Sequence, residues 1–175
     1  MNTTIWPYKV LFLCTGNSAR SIIAETILRN KDNEMFQAYS AGRDPVGAIN
    51  PNVDRFLQGI GMPTDGLRSK GITEFFKPTP INMDFIFTVC DKANKEPCPI
   101  WPGQPITAHW SIPDPALFTG TSEEIATQIA DVYRMLETRI TLFMSLPLKS
   151  IDSMALQKRF DHMKKEISSG REHPI

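Results

Sequence analysis

Short apolar runs, separated by polar and turn-forming stretches, recur along the first two thirds of the chain. Residues 10–13 form a continuous apolar run, which predicts a strand buried on both faces. Residues 36–41, 83–89 and 106–112 predict three further strands. The run at 83–89 has the strongest pattern of the three, and it ends at Cys90.

Between and after these strands, apolar residues recur at helical spacing. They predict a first helix over about residues 21–31. Asn50 followed by Pro51 predicts the start of a second helix. The segment Thr-Ser-Glu-Glu at 121–124 matches a capping box, and a long amphipathic helix is expected from there to about residue 144. A less well patterned helix is expected over residues 150–167.

Alternation of strands and helices predicts an α/β fold, a three-layer αβα arrangement around a four-stranded parallel sheet. Ligands of such sheets bind at the carboxyl ends of the strands. Cys14, Cys90 and Asp114 each follow a predicted strand, so we expect all three at one edge. One catalytic domain is expected over residues 1–175, with a core over about 9–146, followed by the last helix and a loose tail.

The composition and charge of the chain disfavour several classes of protein. The chain has 19 basic and 19 acidic residues and no net charge, which disfavours a nucleic-acid-binding protein. No apolar run is long enough to cross a bilayer, and the first residues lack the pattern of a signal peptide, so a cytoplasmic protein is expected. In a reducing compartment, three cysteines indicate catalytic, redox-active or simply buried thiols rather than structural disulfides.

The densest chemistry lies between the first strand and the first helix. A loop that enters a helix directs backbone N–H groups at an anion, and Arg20 adds a planar fork of donors. Gly16 allows a tight turn, and Asn17 tolerates a left-handed conformation. The loop therefore predicts an oxyanion site with the thiol of Cys14 beneath it. The residues expected to form it are Cys14, Thr15, Gly16, Asn17, Ser18, Ala19, Arg20 and Ser21.

The same field predicts a lowered pKa for the Cys14 thiol, since a helix N-terminus and a nearby arginine stabilise a thiolate. Ser21 can donate a further hydrogen bond to it. A cysteine with an arginine six positions later also arises by chance, and the alternative is a buried Cys14 ending a core strand near a solvated Arg20. The strand before the loop and the helix after it favour the oxyanion site.

The stretch from Leu13 to Ser21 resembles the phosphate-binding loop of low-molecular-weight protein tyrosine phosphatases and of the arsenate reductases that share their fold. The similarity extends to residues 40–42 (Ser-Ala-Gly) and to Asp114-Pro115, and it covers about residues 9–146. The resemblance implies that Cys14 is the nucleophile and Arg20 the clamp on the oxyanion. It implies that Asp114 is the acid that protonates the leaving oxygen.

The region from Cys90 to Asp114 resembles the reductase branch, in which a cysteine pair relays a disulfide outward. That likeness implies arsenate reduction, as in arsenic detoxification, through a Cys14–Cys90 disulfide that Cys98 resolves to Cys90–Cys98. The reductant would be a thioredoxin-like partner, or glutathione with glutaredoxin, and no tightly bound cofactor is expected. Residues 116–118 (Ala-Leu-Phe) replace the aromatic residues usual in tyrosine phosphatases, which disfavours a phosphotyrosine substrate.

Other interpretations stay open at this stage. A low-molecular-weight phosphatase acting on phosphotyrosine or another phosphomonoester is the main alternative, and a non-catalytic oxyanion sensor is the weaker one. Cys90 and Cys98 can also be one buried and one incidental surface thiol. Some relatives hold a potassium ion through residues that match Asn17, Glu25 and Ser40, with an acidic ligand near the position of Lys70. No metal is expected here, because the ammonium of Lys70 can replace the cation. His109 is expected to be packed or hydrogen-bonded near the site rather than catalytic.

Overall fold

Four parallel strands form a sheet in the order β2-β1-β3-β4. The computed structural model describes residues 7–91, 101–148 and 156–162. The strands are β1 (Tyr8–Cys14), β2 (Phe36–Gly42), β3 (Phe85–Thr88) and β4 (Ile106–His109). Because β1 pairs with β2 along its whole length and with β3, its carboxyl end lies inside the sheet, between two neighbours.

Both faces of β1 are buried, as its continuous apolar run predicts. Val10 and Phe12 point into one apolar cluster, and Leu11 and Leu13 point into the other. All four side chains are fully buried. This alternation is the period of two that a strand imposes on its side chains, so a strand buried on both faces is apolar at every position.

Helices α1 (Arg20–Lys31), α2 (Pro51–Gly59) and α3 (Ser122–Met144) supply apolar residues to the first cluster, as do helical residues 156–162. Every residue of α1 from 21 to 28 is buried, because the helix lies between the sheet and α3. The predicted capping box is confirmed, with Thr121 accepting from the Glu124 amide and the Glu124 side chain accepting from the Thr121 amide. Asn50 caps α2 as predicted.

The second face is covered by a thinner layer. The 3-10 helix Ile72–Phe75 and the side chains of Met83 and Trp101 pack against Leu11, Leu13 and Ile86 there. The predicted α/β class with a four-stranded parallel sheet is thus confirmed. In the described ranges no helix combines the length and the apolar character that a membrane span requires.

Two strands are shorter than the sequence predicts. The expectation placed them at residues 83–89 and 106–112, whereas β3 ends at Thr88 and β4 at His109. β4 lies at the edge of the sheet and pairs only with β3, so the ladder of β4 stops where β3 stops. The other parts of the predicted last helix, 150–155 and 163–167, and the predicted tail lie outside the described residues.

Candidate active site

Cys14 is the last residue of β1, and the loop of residues 15–19 folds over its sulfur before α1 begins. The backbone N–H of Asn17 donates to Cys14 Sγ over 3.1 Å. Asn17 turns the chain with a φ of 47°, the left-handed conformation predicted for it. Gly16 leaves room for the side chain of Val46, because a Cβ on residue 16 would lie 3.3 Å from Cγ1 of Val46.

Backbone amides of residues 43–50 donate hydrogen bonds to the carbonyl oxygens of the loop. The amides of Arg43, Asp44, Val46 and Asn50 donate to the carbonyls of Cys14, Thr15, Gly16 and Ser18 over 2.9–3.1 Å. With the carbonyls bound on the outer side, the loop presents N–H groups on its inner side, as an anion site requires. Sequence reasoning missed this supporting segment, whose only local signal is Gly42 at the end of β2.

Three polar side chains form a buried network beneath the thiol. Asn17 Nδ2 donates to Ser21 Oγ over 2.8 Å and to Ser40 Oγ over 3.0 Å. Ser21 Oγ lies 2.8 Å from Cys14 Sγ, and its hydroxyl is the donor of this bond whenever the sulfur is a thiolate, which can only accept. The network therefore brings two donors to the sulfur, the Ser21 hydroxyl and the Asn17 amide.

These two donors stabilise the thiolate form of Cys14, whereas burial of the sulfur disfavours it. Cys14 is only 3% exposed, and burial raises the pKa of its thiol above the ordinary value. Hydrogen bonds from Ser21 and the Asn17 amide lower this pKa, the nearby Cys90 raises it, and Arg20 lowers it. The prediction of a lowered pKa is wrong for this geometry, because desolvation of the thiolate outweighs the donors.

Lys70 lies on the far side of the network. Its ammonium donates to Ser40 Oγ over 3.4 Å and to the Arg68 carbonyl over 3.2 Å, and it lies 3.8 Å from Glu25 Oε2. The Lys70 side chain is 10% exposed, and burial lowers its pKa while Glu25 raises it. A cation is thus built into the chain beside Ser40 and Glu25. In the described ranges, no group of three histidine, cysteine or acidic side chains is placed to hold a metal.

Arg20 and Asp114 meet at the mouth of the loop. Arg20 Nη2 lies 3.3 Å from Asp114 Oδ2, and Arg20 Nη1 donates to the Ile112 carbonyl over 3.2 Å. Asp114 Oδ1 accepts from the Ala116 amide and so caps the 3-10 helix Pro115–Leu117. Arg20 at the start of α1 and Asp114 after β4 therefore lie together at one edge of the sheet, as the sequence predicts.

A second thiol lies against the same loop. Cys90, two residues after β3, is 1% exposed, and its Sγ is 3.4 Å from Thr15 Oγ1. Cys14 and Cys90 are both thiols rather than partners in a disulfide. Cys98, the third cysteine of the sequence, lies outside the described residues.

Comparison with known proteins agrees with this geometry. Residues 9–158 match the family model described as low molecular weight phosphotyrosine protein phosphatase. The chain belongs to this phosphatase family. All of β1 except Tyr8, the loop of residues 15–19, Cys90 and Asp114 fall inside the matched residues.

Curated proteins similar to this chain are named arsenate reductase. An arsenate reductase of Shouchella clausii is 36% identical over 116 residues, which is 66% of this chain and 79% of the relative. An arsenate reductase of Oceanobacillus iheyensis is 34% identical over 134 residues, or 77% of this chain and 93% of the relative. The crystal structure of an arsenate reductase from Archaeoglobus fulgidus is 25% identical, covers 75% of this chain and 98% of that one, and superposes with a TM-score of 0.56.

Proposed function

We propose that this chain is an arsenate reductase whose catalytic residues are Cys14, Arg20, Asp114, Cys90 and Cys98. The observation that carries the proposal is the buried thiol of Cys90 against Thr15 of the loop that starts at Cys14. A phosphatase needs one nucleophile, whereas reduction of arsenate needs a second thiol within reach of the first. Relatives named arsenate reductase, which share about a third of their residues with this chain, support the same activity.

In the first step, arsenate accepts hydrogen bonds from the loop amides and from the Arg20 guanidinium. Arg20 thereby gives up its ion pair with Asp114, and the carboxyl group becomes free to act as an acid. The Cys14 thiolate attacks arsenic and forms a sulfur–arsenic bond. One arsenate oxygen leaves as water, with a proton supplied by Asp114. Arsenic is still As(V) at this point, because no electrons have been transferred.

The second step reduces arsenic. The Cys90 thiolate attacks the Cys14 sulfur, and the sulfur–arsenic bond breaks with its electron pair passing to arsenic. Arsenite leaves as As(III), having gained two electrons, and the two thiolates that lost them form the Cys14–Cys90 disulfide. The contact between Thr15 and Cys90 supports this step, since it holds Cys90 at the loop.

Recycling requires Cys98. Its thiolate attacks the Cys90 sulfur, forms Cys90–Cys98 and releases Cys14 as a thiolate, with no net change in oxidation state. A thioredoxin-like dithiol then reduces this pair. If glutathione and glutaredoxin serve instead, the glutathione thiolate attacks the Cys14 sulfur of the arsenic adduct, and arsenite leaves with the electron pair of the broken sulfur–arsenic bond. Glutaredoxin then reduces the mixed disulfide, so neither Cys90 nor Cys98 has a role.

The competing candidate is phosphomonoester hydrolysis, which the Arg20–Asp114 pair and the family favour. Hydrolysis uses Cys14, Arg20 and Asp114 alone. Substitutions of Cys90 and Cys98 therefore separate the two activities.

Arsenite release is measured from a stoichiometric amount of the reduced chain with no external reductant, and then with thioredoxin, thioredoxin reductase and NADPH. Without reductant, wild type and Cys98→Ser each release about one arsenite per chain, because the first disulfide suffices, while Cys14→Ser and Cys90→Ser release none. With thioredoxin, only wild type turns over repeatedly. Replacing thioredoxin by glutathione and glutaredoxin identifies the reductant.

Hydrolysis of p-nitrophenyl phosphate is the matched control, since Cys90→Ser and Cys98→Ser keep it and Cys14→Ser loses it. Arsenite release by Cys90→Ser at the wild-type yield would contradict the relay. If every variant with Cys14 hydrolyses the ester and wild type releases no arsenite, the protein is a phosphatase.

A further inference from the structure

Asp91, the residue after Cys90, is hydrogen-bonded to the last residue of β4 and to the segment that follows it. Asp91 Oδ1 lies 2.8 Å from His109 Nε2, and Asp91 Oδ2 accepts from Ser111 Oγ over 3.2 Å. A carboxylate can only accept, so His109 Nε2 carries a proton and donates it to Asp91. Asp91 is 64% exposed, yet both of its carboxylate oxygens are bonded to the β4 side of the sheet.

His109 is itself fixed. Its Nδ1 lies 2.8 Å from Thr88 Oγ1, and the two residues are paired in the register of β3 and β4. The His109 side chain is 9% exposed, so the imidazole is enclosed by the sheet edge. Thr88, Asp91, His109 and Ser111 together form what we term the Asp91 cluster.

The residues before and after Cys90 in the chain are both fixed by hydrogen bonds. Before it, the Val89 amide donates to the Leu13 carbonyl over 2.9 Å, which extends the pairing of β1 and β3 to the position next to the thiol. After it, the Asp91 cluster holds the next residue through two hydrogen bonds. Between these two anchors the Cys90 sulfur faces Thr15 and is buried, so a macromolecular reductant has no access to it.

We propose that His109 is a positioning residue for Cys90. Its hydrogen bond to Asp91 keeps Cys90 buried beside Cys14 for attack on the Cys14 sulfur, and this bond breaks when Cys90 leaves the loop to pair with Cys98. The inference rests on the proposed function for its role in catalysis. The hold on Cys90 itself is independent of any reaction with arsenate.

Two substitutions of His109 separate its two bonds. The amide nitrogen of His109→Gln reaches about as far as Nε2 and keeps the donor to Asp91. The shorter amide of His109→Asn reaches about as far as Nδ1, so it keeps the contact with Thr88 and loses Asp91. Asp91→Ala removes the acceptor at an exposed position, where truncation is well tolerated.

The test measures the alkylation rate of Cys90 by iodoacetamide in a Cys14→Ser, Cys98→Ser background, where Cys90 is the sole thiol because the chain has three cysteines. We expect His109→Asn to speed alkylation about tenfold, the effect of losing one hydrogen bond to a charged group. Asp91→Ala loses the bonds to both His109 and Ser111 and should speed it at least as much. His109→Gln is expected to stay within about twofold of the background chain. Equal rates in all four proteins would overturn the proposal.

Arsenite release in a single turnover of the chain with all three cysteines gives the second readout. His109→Asn should slow the first turnover and leave the arsenate concentration for half-maximal rate unchanged, because the bond from His109 holds the residue next to Cys90 and not a residue of the loop that binds arsenate. Rescue by His109→Gln separates positioning from a general loss of structure. If His109→Asn does not fold, Asp91→Ala is compared with Ser111→Ala, which keeps the bond from His109, and equal alkylation rates in these two variants would overturn the role of His109. The alkylation assay contains no arsenate, so a chain that fails to reduce arsenate leaves its result intact.

Discussion

At the scale of single residues, the reactivity of Cys14 depends on a balance between burial and hydrogen bonding. Burial raises the pKa of the thiol, and Ser21 is the strongest of the groups that lower it. Ser21 can do so because its hydroxyl lies 2.8 Å from the sulfur and donates to the thiolate, while Asn17 holds the Ser21 oxygen in place. Removal of the Ser21 hydroxyl should therefore be visible directly in the titration of Cys14.

We predict that Ser21→Ala raises the pKa of the Cys14 thiol further, because the thiolate loses a hydrogen bond of the kind that contributes about 1.5–3 kcal/mol. The pH profile of iodoacetamide alkylation moves to higher pH as a result. The measurement uses a Cys90→Ser, Cys98→Ser background, in which Cys14 is the sole thiol. Ser21→Thr keeps the hydroxyl and serves as the control, and an unchanged midpoint in Ser21→Ala would contradict the prediction.

At the scale of the elements, the end of β2 supports the oxyanion loop by close contact. A Cβ added at Gly42 would lie 2.4 Å from the Thr15 carbonyl oxygen and 3.0 Å from the Asn17 amide nitrogen. These are backbone atoms, so a side chain at residue 42 can be accommodated only if the loop moves. The absence of a side chain here lets strand and loop pack directly.

Gly42→Ala is predicted to destabilise the fold by about 1–3 kcal/mol, the usual cost of overpacking, and to weaken phosphate binding. Denaturant unfolding and phosphate titration measure the two effects. Gly59→Ala is the matched control, because a Cβ on this residue of α2 meets no atom within 4 Å. This substitution should be neutral or stabilise by up to about 1 kcal/mol. Equal stabilities for the two variants would refute the contact.

At the scale of the whole molecule, the site joins segments that are far apart in the chain. The loop after β1, the segment before α2, Cys90 after β3 and Asp114 after β4 meet at one edge of the sheet. An oxyanion bound there contacts only the folded arrangement, so it stabilises that arrangement by mass action.

Phosphate at about 100 times its dissociation constant should stabilise the chain by about 2.7 kcal/mol and raise Tm by several degrees. Arg20→Met should abolish most of this shift, because the guanidinium supplies the charged donors. Chloride at equal ionic strength controls for general salt effects. A phosphate shift in Arg20→Met as large as in wild type would exclude Arg20 as the oxyanion clamp.

Local features of the sequence were sufficient for the elements and for the loop. The apolar run of β1, the capping box of α3 and the Asn50 cap of α2 are each encoded by neighbouring residues, and each is confirmed. The left-handed turn at Asn17 is local in the same sense. The relay through Cys98 and a single domain over residues 1–175 stay predictions.

Local sequence patterns are enough to predict that Cys14 ends a buried strand and that Arg20 starts the following helix, because strand, loop and helix are contiguous. Tertiary packing alone produces the contact of Cys90 with Thr15 and the hydrogen bond from His109 to Asp91. It also decided the sign of the pKa shift at Cys14, because burial is produced by packing from distant segments. No local pattern along the chain records such packing.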